Sequence, residues 1–441
     1  MRAVTPGARP TPSPTTPTTP TAPTTPPTPT TPTTRATQAR PTAPSSPSTP
    51  ASRPTGQAPS GDLPATLALA PLGEPLDGVR RIAVLRGGGL GDLLFASPAL
   101  EALAARYPDA EITLLGTELH RDLLHGRPGP VDDVEVLPVA EGVREHPGEV
   151  QVPLDDFVAR MRARRFDLAV QVHGGGRYSN PFLLALGARC TIGLRSEDAV
   201  PVDRAVPYRY YQHEVLRALE VVGLVGAAPV VLEPVVRVRP DERAWGHEVR
   251  RCLRGPVVVL HPGATDPRRR WPVEKFAELA RRCAAAGGRV VVVGDGGDVE
   301  VAEEVAAASG GAATSLAGTL TLGELVGLLS VAAVVVGDDS GPRHLAQAVG
   351  CPTVGIYWVG NLVNAGPLSR GDHRVHLGWT TVCPTCGASQ VAPDDARCDH
   401  DPSFVDGVGV DEVAAEALDL LARETTSSST PSQRSRNASS P

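Results

Sequence analysis

From Arg81 to Tyr357 short apolar runs alternate with stretches of helical periodicity, and the alternation occurs twice. The first set of runs is 81–85, 111–115, 133–137 and 167–172, with helical stretches at 93–107, 117–126 and 153–165. The second is 256–260, 289–293, 332–336 and 353–357, with helical stretches at 272–286, 299–308 and 322–330. Runs this short, bounded by Gly and Pro, read as strands, and strand–helix alternation calls for an open parallel sheet with helices on both faces. The chain is therefore read as two doubly wound α/β halves in tandem, meeting near 230–240. Ligands of such sheets bind outside the carboxyl ends of the strands, so function is to be sought in the turns that follow the runs.

The two ends differ in kind. Residues 1–75 are dominated by Thr, Pro, Ala and Ser, and residues 424–441 by Ser and Thr. Segments this poor in aliphatic and aromatic side chains cannot offset their ordering entropy by burial, so both are expected to be disordered. That leaves 76–235 and 236–423 as the two folded halves. A net charge of −7 argues against a nucleic-acid binder that works through a broad basic surface. No apolar run is long enough to span a bilayer, and no apolar h-region follows the N-terminal arginines, so a cytoplasmic protein is expected. Seven cysteines, an odd number, fit a reducing compartment. Cys190, Cys252, Cys283 and Cys351 lie singly among apolar residues and read as core.

Four turns carry the chemistry. The most telling is Gly337–His344, where an apolar run ends in Asp-Asp-Ser-Gly-Pro-Arg-His and a helical pattern follows. A strand–turn–helix junction offers free backbone N–H groups and a helix dipole, which suit a phosphate. Asp339 is placed to accept sugar hydroxyls, and Ser340 and His344 to donate to phosphate oxygens around Gly341. The turn Arg86–Asp92, with Gly89 and Gly91, lacks both the dinucleotide fingerprint and the P-loop lysine. Its Asp92 is read as a proton or hydroxyl acceptor, or alternatively as a plain helix cap. At His261–Pro272, Thr265 and the run Arg268–Arg270 supply hydroxyl and guanidinium donors to a diphosphate. At Gly294–Asp298, Asp298 is a candidate for ribose hydroxyls. Separately, Cys383 and Cys386 have metal-ligand spacing, and Cys398 and His400 would complete a tetrahedral structural zinc site. The second Cys-x2-Cys of a zinc ribbon is missing, and reduced loop thiols are the alternative reading.

With these residues in view, the chain resembles glycosyltransferase family 9, the bacterial heptosyltransferases, over about residues 80–422. The likeness rests on Gly-Leu-Gly-Asp-Leu-Leu at 89–94, His-Pro-Gly-Ala at 261–264, Arg-Trp-Pro at 270–272 and Gly-Asp-Asp-Ser-Gly-Pro-Arg-His at 337–344, in this order. The resemblance implies a GT-B fold, two Rossmann-like domains facing across a cleft. It implies inverting, metal-independent transfer of a sugar, typically heptose from ADP-heptose, to a glycan or lipid-linked acceptor at the inner face of the cytoplasmic membrane. By the same resemblance Asp92 is the catalytic base, with Gly89 and Gly91 beside it on the acceptor side. Thr265, Arg269, Asp298, Asp339, Ser340, Gly341 and His344 hold the donor, and no cofactor is needed for catalysis. Arg269 stands where the family commonly has a lysine. The Thr/Pro-rich head is not a family feature, and the Ala, Arg, Gly and Pro bias points to a GC-rich genome and an acceptor other than lipopolysaccharide. Two other readings remain open on sequence alone: a nucleotide-sugar epimerase of the same fold, and a non-catalytic nucleotide-sugar-binding protein.

Overall fold

Every assigned strand pairs in parallel, and the sheets close in the same order in each half. The computed structural model describes residues 69–145, 152–392 and 395–428. The first half runs β1 (Arg81–Leu85), α1 (Leu90–Arg106), β2 (Glu111–Gly116), α2 (Glu118–Leu124), β3 (Asp133–Val136), α3 (Leu154–Ala163), β4 (Leu168–Gln171), α4 (Ser179–Ala185), β5 (Cys190–Arg195), β6 (Arg204–Pro207) and α5 (Glu214–Gly223). The second runs α6 (Pro240–Leu253), β7 (Val257–His261), α7 (Val273–Ala285), β8 (Arg289–Val292), α8 (Val299–Ala308), β9 (Ala313–Ser315), α9 (Leu322–Val331), β10 (Val334–Asp338), α10 (Gly341–Ala348), β11 (Thr353–Trp358), α11 (Val359–Ala365), β12 (His373–Gly378) and α12 (Val410–Ser428).

The sheets are ordered β3-β2-β1-β4-β5-β6 and β12-β11-β10-β7-β8-β9. Strand order reverses between β1 and β4 in one and between β7 and β10 in the other. A crevice opens outside the strand ends at each reversal, so the turns after β1, β7 and β10 are the ones that can meet a ligand. All five residues of β7 and all five of β10 are buried. Central strands covered on both faces select such runs of Val, because each buried Val or Leu contributes roughly 1.5–3 kcal/mol. α9 starts at a reciprocal cap. Thr321 Oγ1 accepts the Glu324 N–H at 3.3 Å while Glu324 Oε2 accepts the Thr321 N–H at 2.8 Å.

The halves touch at two places that matter for the cleft. α1 packs against α10, and a Cβ on Gly341 would stand 3.1 Å from the Leu90 Cβ, so a larger side chain there would push the two helices apart by a few tenths of an ångström. On another side Arg127, from the loop after α2, donates to both carboxylate oxygens of Glu242 on α6 at 2.8 and 2.6 Å. Both side chains are buried. Among the described residues no helix is long and apolar enough to cross a membrane.

The structure differs from the sequence reading at the ends and edges. Residues 1–68 and 429–441 lie outside the described residues. Within the expected head, the Gly73 N–H donates to the Gly223 carbonyl at 2.8 Å, so 69–75 already belong to the folded body. Within the expected tail, α12 continues through 424–428. Strands β5, β6, β9 and β12 and helices α4, α5, α6, α11 and α12 were not anticipated. β6 alternates half-buried and exposed residues at a sheet edge and β9 is only three residues long, so neither shows a clear apolar run. Cys252 is exposed on α6, not core; the other three lone cysteines are buried.

Breaking the Arg127–Glu242 pair leaves a buried carboxylate with only Arg239 beside it. Arg127→Met should therefore cost about 3 kcal/mol of unfolding free energy, and Arg127→Met with Glu242→Leu should recover most of it. Urea unfolding of both variants measures this. Equal losses in the single and double variants would mean that the pair itself stabilises the junction.

Candidate functional site

The turn after β1 is shaped by one carboxylate. Asp92, in the first turn of α1, accepts the Gly89 N–H on Oδ2 at 2.9 Å and Arg86 Nη2 on Oδ1 at 2.6 Å. Gly88 has φ +88, and a Cβ there would fall 2.4 Å from Asp92 Oδ2, so the tight turn is needed for the carboxylate to reach back. Asp92 does cap its helix. Yet 45% of its side chain remains exposed, open to the cleft. Arg86 is buried and shares its guanidinium with Glu214 Oε2 at 3.2 Å, which ties α5 to the turn. His120 supports the loop from below. Its Nε2 donates to the Gly89 carbonyl at 3.0 Å, and burial pushes its pKa down to about 4, so the ring is neutral at pH 7.

The turn after β10 holds two adjacent aspartates with opposite fates. Asp338 is fully buried and accepts the Trp271 N–H at 3.1 and 3.2 Å; burial, then the charge of Asp339, push its pKa well up. Asp339 accepts His344 Nε2 at 2.9 Å, Asn361 Nδ2 at 2.7 Å and Arg269 Nη1 at 3.2 Å. Burial alone would raise its pKa, but His344, Arg269 and Asn361 outweigh that and hold it well below the usual carboxylate range. His344 is pushed down to about 4 by burial and then by Arg343. A neutral His344 donates from Nε2 to Asp339 and accepts from Arg343 on Nδ1. Both ring nitrogens thus have partners within the protein, and His344 orients Asp339. The Ser340 hydroxyl is likewise tied, lying 2.9 Å from His261 Nδ1 and 3.1 Å from the Asp338 carbonyl. The anion donors this turn can offer are the Gly341 and Arg343 amides at the start of α10, because Pro342 has no N–H and the His344 N–H donates to the Ser340 carbonyl at 3.2 Å.

The three arginines do three jobs. Arg269 reaches the carboxylate and carbonyl of Asp339 at 3.2 and 3.3 Å. Arg270 Nε holds the Ala264 carbonyl at 2.9 Å. Arg268 points elsewhere, to Asp266 at 2.6 Å and Gln390 Oε1 at 2.6 Å, with its guanidinium over the Phe404 ring. The expected run of interchangeable phosphate donors is in fact two cleft arginines and one that braces the loop. Asp298 sits beneath Gly263, whose Cβ would stand 2.1 Å from Oδ1, and faces His261 Nε2 at 3.3 Å. The His261 hydrogen bond holds its pKa down.

Between the halves lies a cleft of about 970 Å³. Gly89, Gly91, Asp92, Thr265, Arg269, Asp298, Asp339, Ser340, Gly341 and His344 all line it. The two sides meet closely: Phe95 of α1 packs edge-on to His344 with centroids 4.6 Å apart. Four contributing residues were not foreseen. Asp338 looked like half of an acidic pair, and only its burial separates its role from that of Asp339. Arg86 and Glu214 are far apart in sequence, and Asn361 sits in a short apolar helix without any local signal.

Cys383, Cys386, Cys398 and His400 stand apart from the cleft and close to one another. Their potential ligand atoms all lie within 4.8 Å, and they form a group that could hold a metal ion. His400 Nδ1 is buried without a hydrogen-bond partner, as expected of a nitrogen shaped for a ligand. Three thiols and one imidazole fit the donor set of a closed zinc site.

A family model described as glycosyltransferase family 9 (heptosyltransferase) matches residues 156–387. Lipopolysaccharide heptosyltransferase 2 of Escherichia coli strain K12 is 26% identical over 364 residues, covering 78% of this chain and 99% of that protein. Lipopolysaccharide heptosyltransferase 3 of Escherichia coli is 24% identical over 362 residues, covering 77% and 98%. Among solved structures, a family 9 glycosyl transferase from Veillonella parvula superposes with a TM-score of 0.64 at 18% identity, covering 80% of this chain and 99% of that one. E. coli ADP-heptose lps heptosyltransferase II does so with a TM-score of 0.60 at 22% identity, covering 78% and 99%. The likeness to these structures is one of fold, and the fold is GT-B.

Buried neutral histidines make the site sensitive to acid. His120 and His344 have folded pKa values near 4 against 6.5 for an ordinary histidine, so the unfolded chain binds protons that the folded chain does not. Their stabilisation is fully present above pH 6.5 and is lost as pH falls through 4, at up to about 1.4 kcal/mol per pH unit for each. Melting temperature should thus fall steadily between pH 6.5 and 4.5. Asp338, whose pKa is raised, opposes one of these rings over the same range, but His173, His213, His373 and His376 are shifted the same way as the pair, so a melting temperature unchanged from pH 7 to 5 would show that the buried histidines are not held neutral.

Proposed function

We propose, from the premise that the chain belongs to glycosyltransferase family 9, the heptosyltransferases, that this glycosyltransferase moves a heptose-like sugar from an ADP-linked donor with inversion at the anomeric carbon. The observation that carries the reading is the meeting of Asp92, on the first half, with the Arg269 and α10 turns, on the second, in one cleft. In this reading 76–235 forms the acceptor half and 236–423 the donor half. The diphosphate lies against Arg269, Arg270, Thr265 and the amides at Gly341, with Asp298 near the ribose. Asp92 takes the proton of an acceptor hydroxyl, whose oxygen attacks the anomeric carbon as the nucleoside diphosphate departs from the opposite face. Guanidinium charge and the helix N-terminus stabilise the leaving phosphate, the part that a divalent cation plays elsewhere, so the step is proposed to be metal-independent. Asp339 holds Arg269 in place, and His344 and Asn361 hold Asp339.

The acceptor is proposed to be a glycan or lipid-linked glycan, met on the cytoplasmic face of the inner membrane by a protein that does not span it. The Cys383, Cys386, Cys398 and His400 group is proposed to hold one structural zinc. Four protein ligands leave no open position, so the ion would supply local rigidity and no Lewis-acid step.

A thermal-shift screen of ADP-, GDP- and UDP-sugars tests the donor. A ligand at about 100 times its Kd stabilises the native state by about 2.7 kcal/mol, and the ADP series is expected to give the largest shift. Asp92→Asn retains a cap acceptor and the side-chain shape but cannot take a proton. It should leave ADP affinity within a few-fold while lowering turnover about 10²-fold or more. Turnover within a few-fold of the parent would reduce Asp92 to a helix cap.

Arg269→Ala should weaken ADP binding about ten-fold or more and adenosine binding far less, since charge-assisted bonds to phosphate are worth about 1.5–3 kcal/mol. Arg268 cannot compensate, because it is committed to Asp266 and Gln390. Calorimetric titration with both ligands separates the outcomes; equal losses would point to a collapsed loop.

A further inference from the structure

The loop carrying the cleft arginines is not anchored by its own strand and helix alone. The Phe404 N–H donates to the Arg268 carbonyl at 2.7 Å, and the Ser403 hydroxyl to the Arg270 carbonyl at 2.6 Å. Gln390 Oε1 accepts from Arg268 Nη1 at 2.6 Å, and Arg397 lies 3.6 Å from Asp266. Every one of these braces comes from the stretches 380–392 and 395–404, which contain the three cysteines and the histidine. Those stretches have little regular structure. Between Thr381 and Gln390 a small turn is held by Cys383 N–H to the Ala388 carbonyl and Gly387 N–H to the Cys383 carbonyl, both at 2.8 Å. Gln390 is buried, and its amide nitrogen donates to the Ala396 carbonyl at 3.2 Å, joining the two stretches beside the thiols. The same region reaches the first half, where the Tyr211 hydroxyl donates to the Val391 carbonyl.

We infer that the Cys383–Cys386–Cys398–His400 group is a metal-operated clamp: a zinc-type divalent ion bound there fixes 380–392 against 395–404 and so holds the Arg268–Arg270 loop in its diphosphate-binding shape. The inference rests on the reading of that loop as the phosphate site. The physical case is one of entropy. Phe404 is held in the core against Trp358, but Gln390 and Arg397 sit on irregular stretches joined by few hydrogen bonds, and four metal–ligand bonds beside them would supply a cross-link that lowers the entropy cost of holding these braces. Arg268 is the relay, because the clamp grips it from one side while Arg269 and Arg270 face the cleft on the other. Arg268 and Gln390 are positioning residues here and touch no substrate.

The test uses the full chain in three forms: zinc-loaded, stripped by a chelator with thiols kept reduced, and reloaded with zinc sulfate. Calorimetry reads ADP and adenosine affinity, and hydrogen exchange reads the amides of Arg269, Arg270 and Phe404. Loaded protein should carry about one zinc per chain. Stripping should weaken ADP binding about ten-fold, the scale on which a displaced binding group acts, with adenosine changed less than two-fold. It should speed exchange at Phe404, and reloading should restore both. Gln390→Ala, which leaves all four ligands intact, should keep its zinc and show the same selective loss of ADP affinity. Failure to take up zinc under reducing conditions would overturn the inference, as would a zinc-loaded and a stripped form with the same ADP affinity and the same Phe404 exchange. Exchange that responds to zinc while neither form binds ADP would sustain the clamp and remove the donor reading instead.

Discussion

The site depends on two neighbouring carboxylates whose surroundings push their acidities in opposite directions. Asp338 is fully buried and accepts the Trp271 backbone N–H, and burial, then the charge of Asp339, push its pKa well up. Asp339, one residue on, is as deeply buried but has three donors around it and stays ionised. Two charged carboxylates at adjacent positions in a low-dielectric interior repel strongly, and that repulsion adds to the upward shift of Asp338. The one held low is the one turned toward Arg269. The pair fixes the loop Arg269–Trp271 at both ends, by an ion pair at Arg269 and by the hydrogen bond from the Trp271 N–H. Replacing either aspartate would thus disturb the other.

Glycines translate that electrostatic arrangement into access. Gly263 and Gly294 close over Asp298, and Gly341 lets α10 approach Leu90 of the other half. The short side chains are not required for flexibility, since Gly263, Gly294 and Gly341 have no unusual φ. They are required because a Cβ would occupy the space of the carboxylate or of the facing helix. At Gly88 a left-handed backbone adds its own demand.

What was legible in the sequence follows from the range of the interactions involved. Strand-to-helix turns are local, so the turns at Gly89–Asp92, His261–Thr265, Gly294–Asp298 and Asp339–His344 could be read from composition and order. Buried central strands such as β7 and β10 announce themselves as runs of Val. Edge strands β6 and β12 carry Arg and His among their residues and do not. The roles inside the turns were less legible. His344 and Arg268 have the chemistry of phosphate donors, and only their partners show that one orients Asp339 and the other braces a loop. Glu214 joins Arg86 across more than a hundred residues, a pairing that no local pattern encodes.

The proposed reaction asks the two halves to hold a fixed spacing, because in it a base on one half meets an anomeric carbon presented by the other. The contacts at the junction differ in kind. Phe95 against His344 and Leu90 against Gly341 are short-range packing, which fails abruptly once the helices separate. Arg127 with Glu242 is a charge pair on another element, α6, and resists separation because parting them would leave ions in a dry interior. Asp92 is itself fastened to the first contact by capping α1, the helix that carries Leu90 and Phe95. The cap and the proposed base are therefore one side chain. The hydrogen bond that ends the helix also points the carboxylate into the cleft, at the place where the second half comes closest.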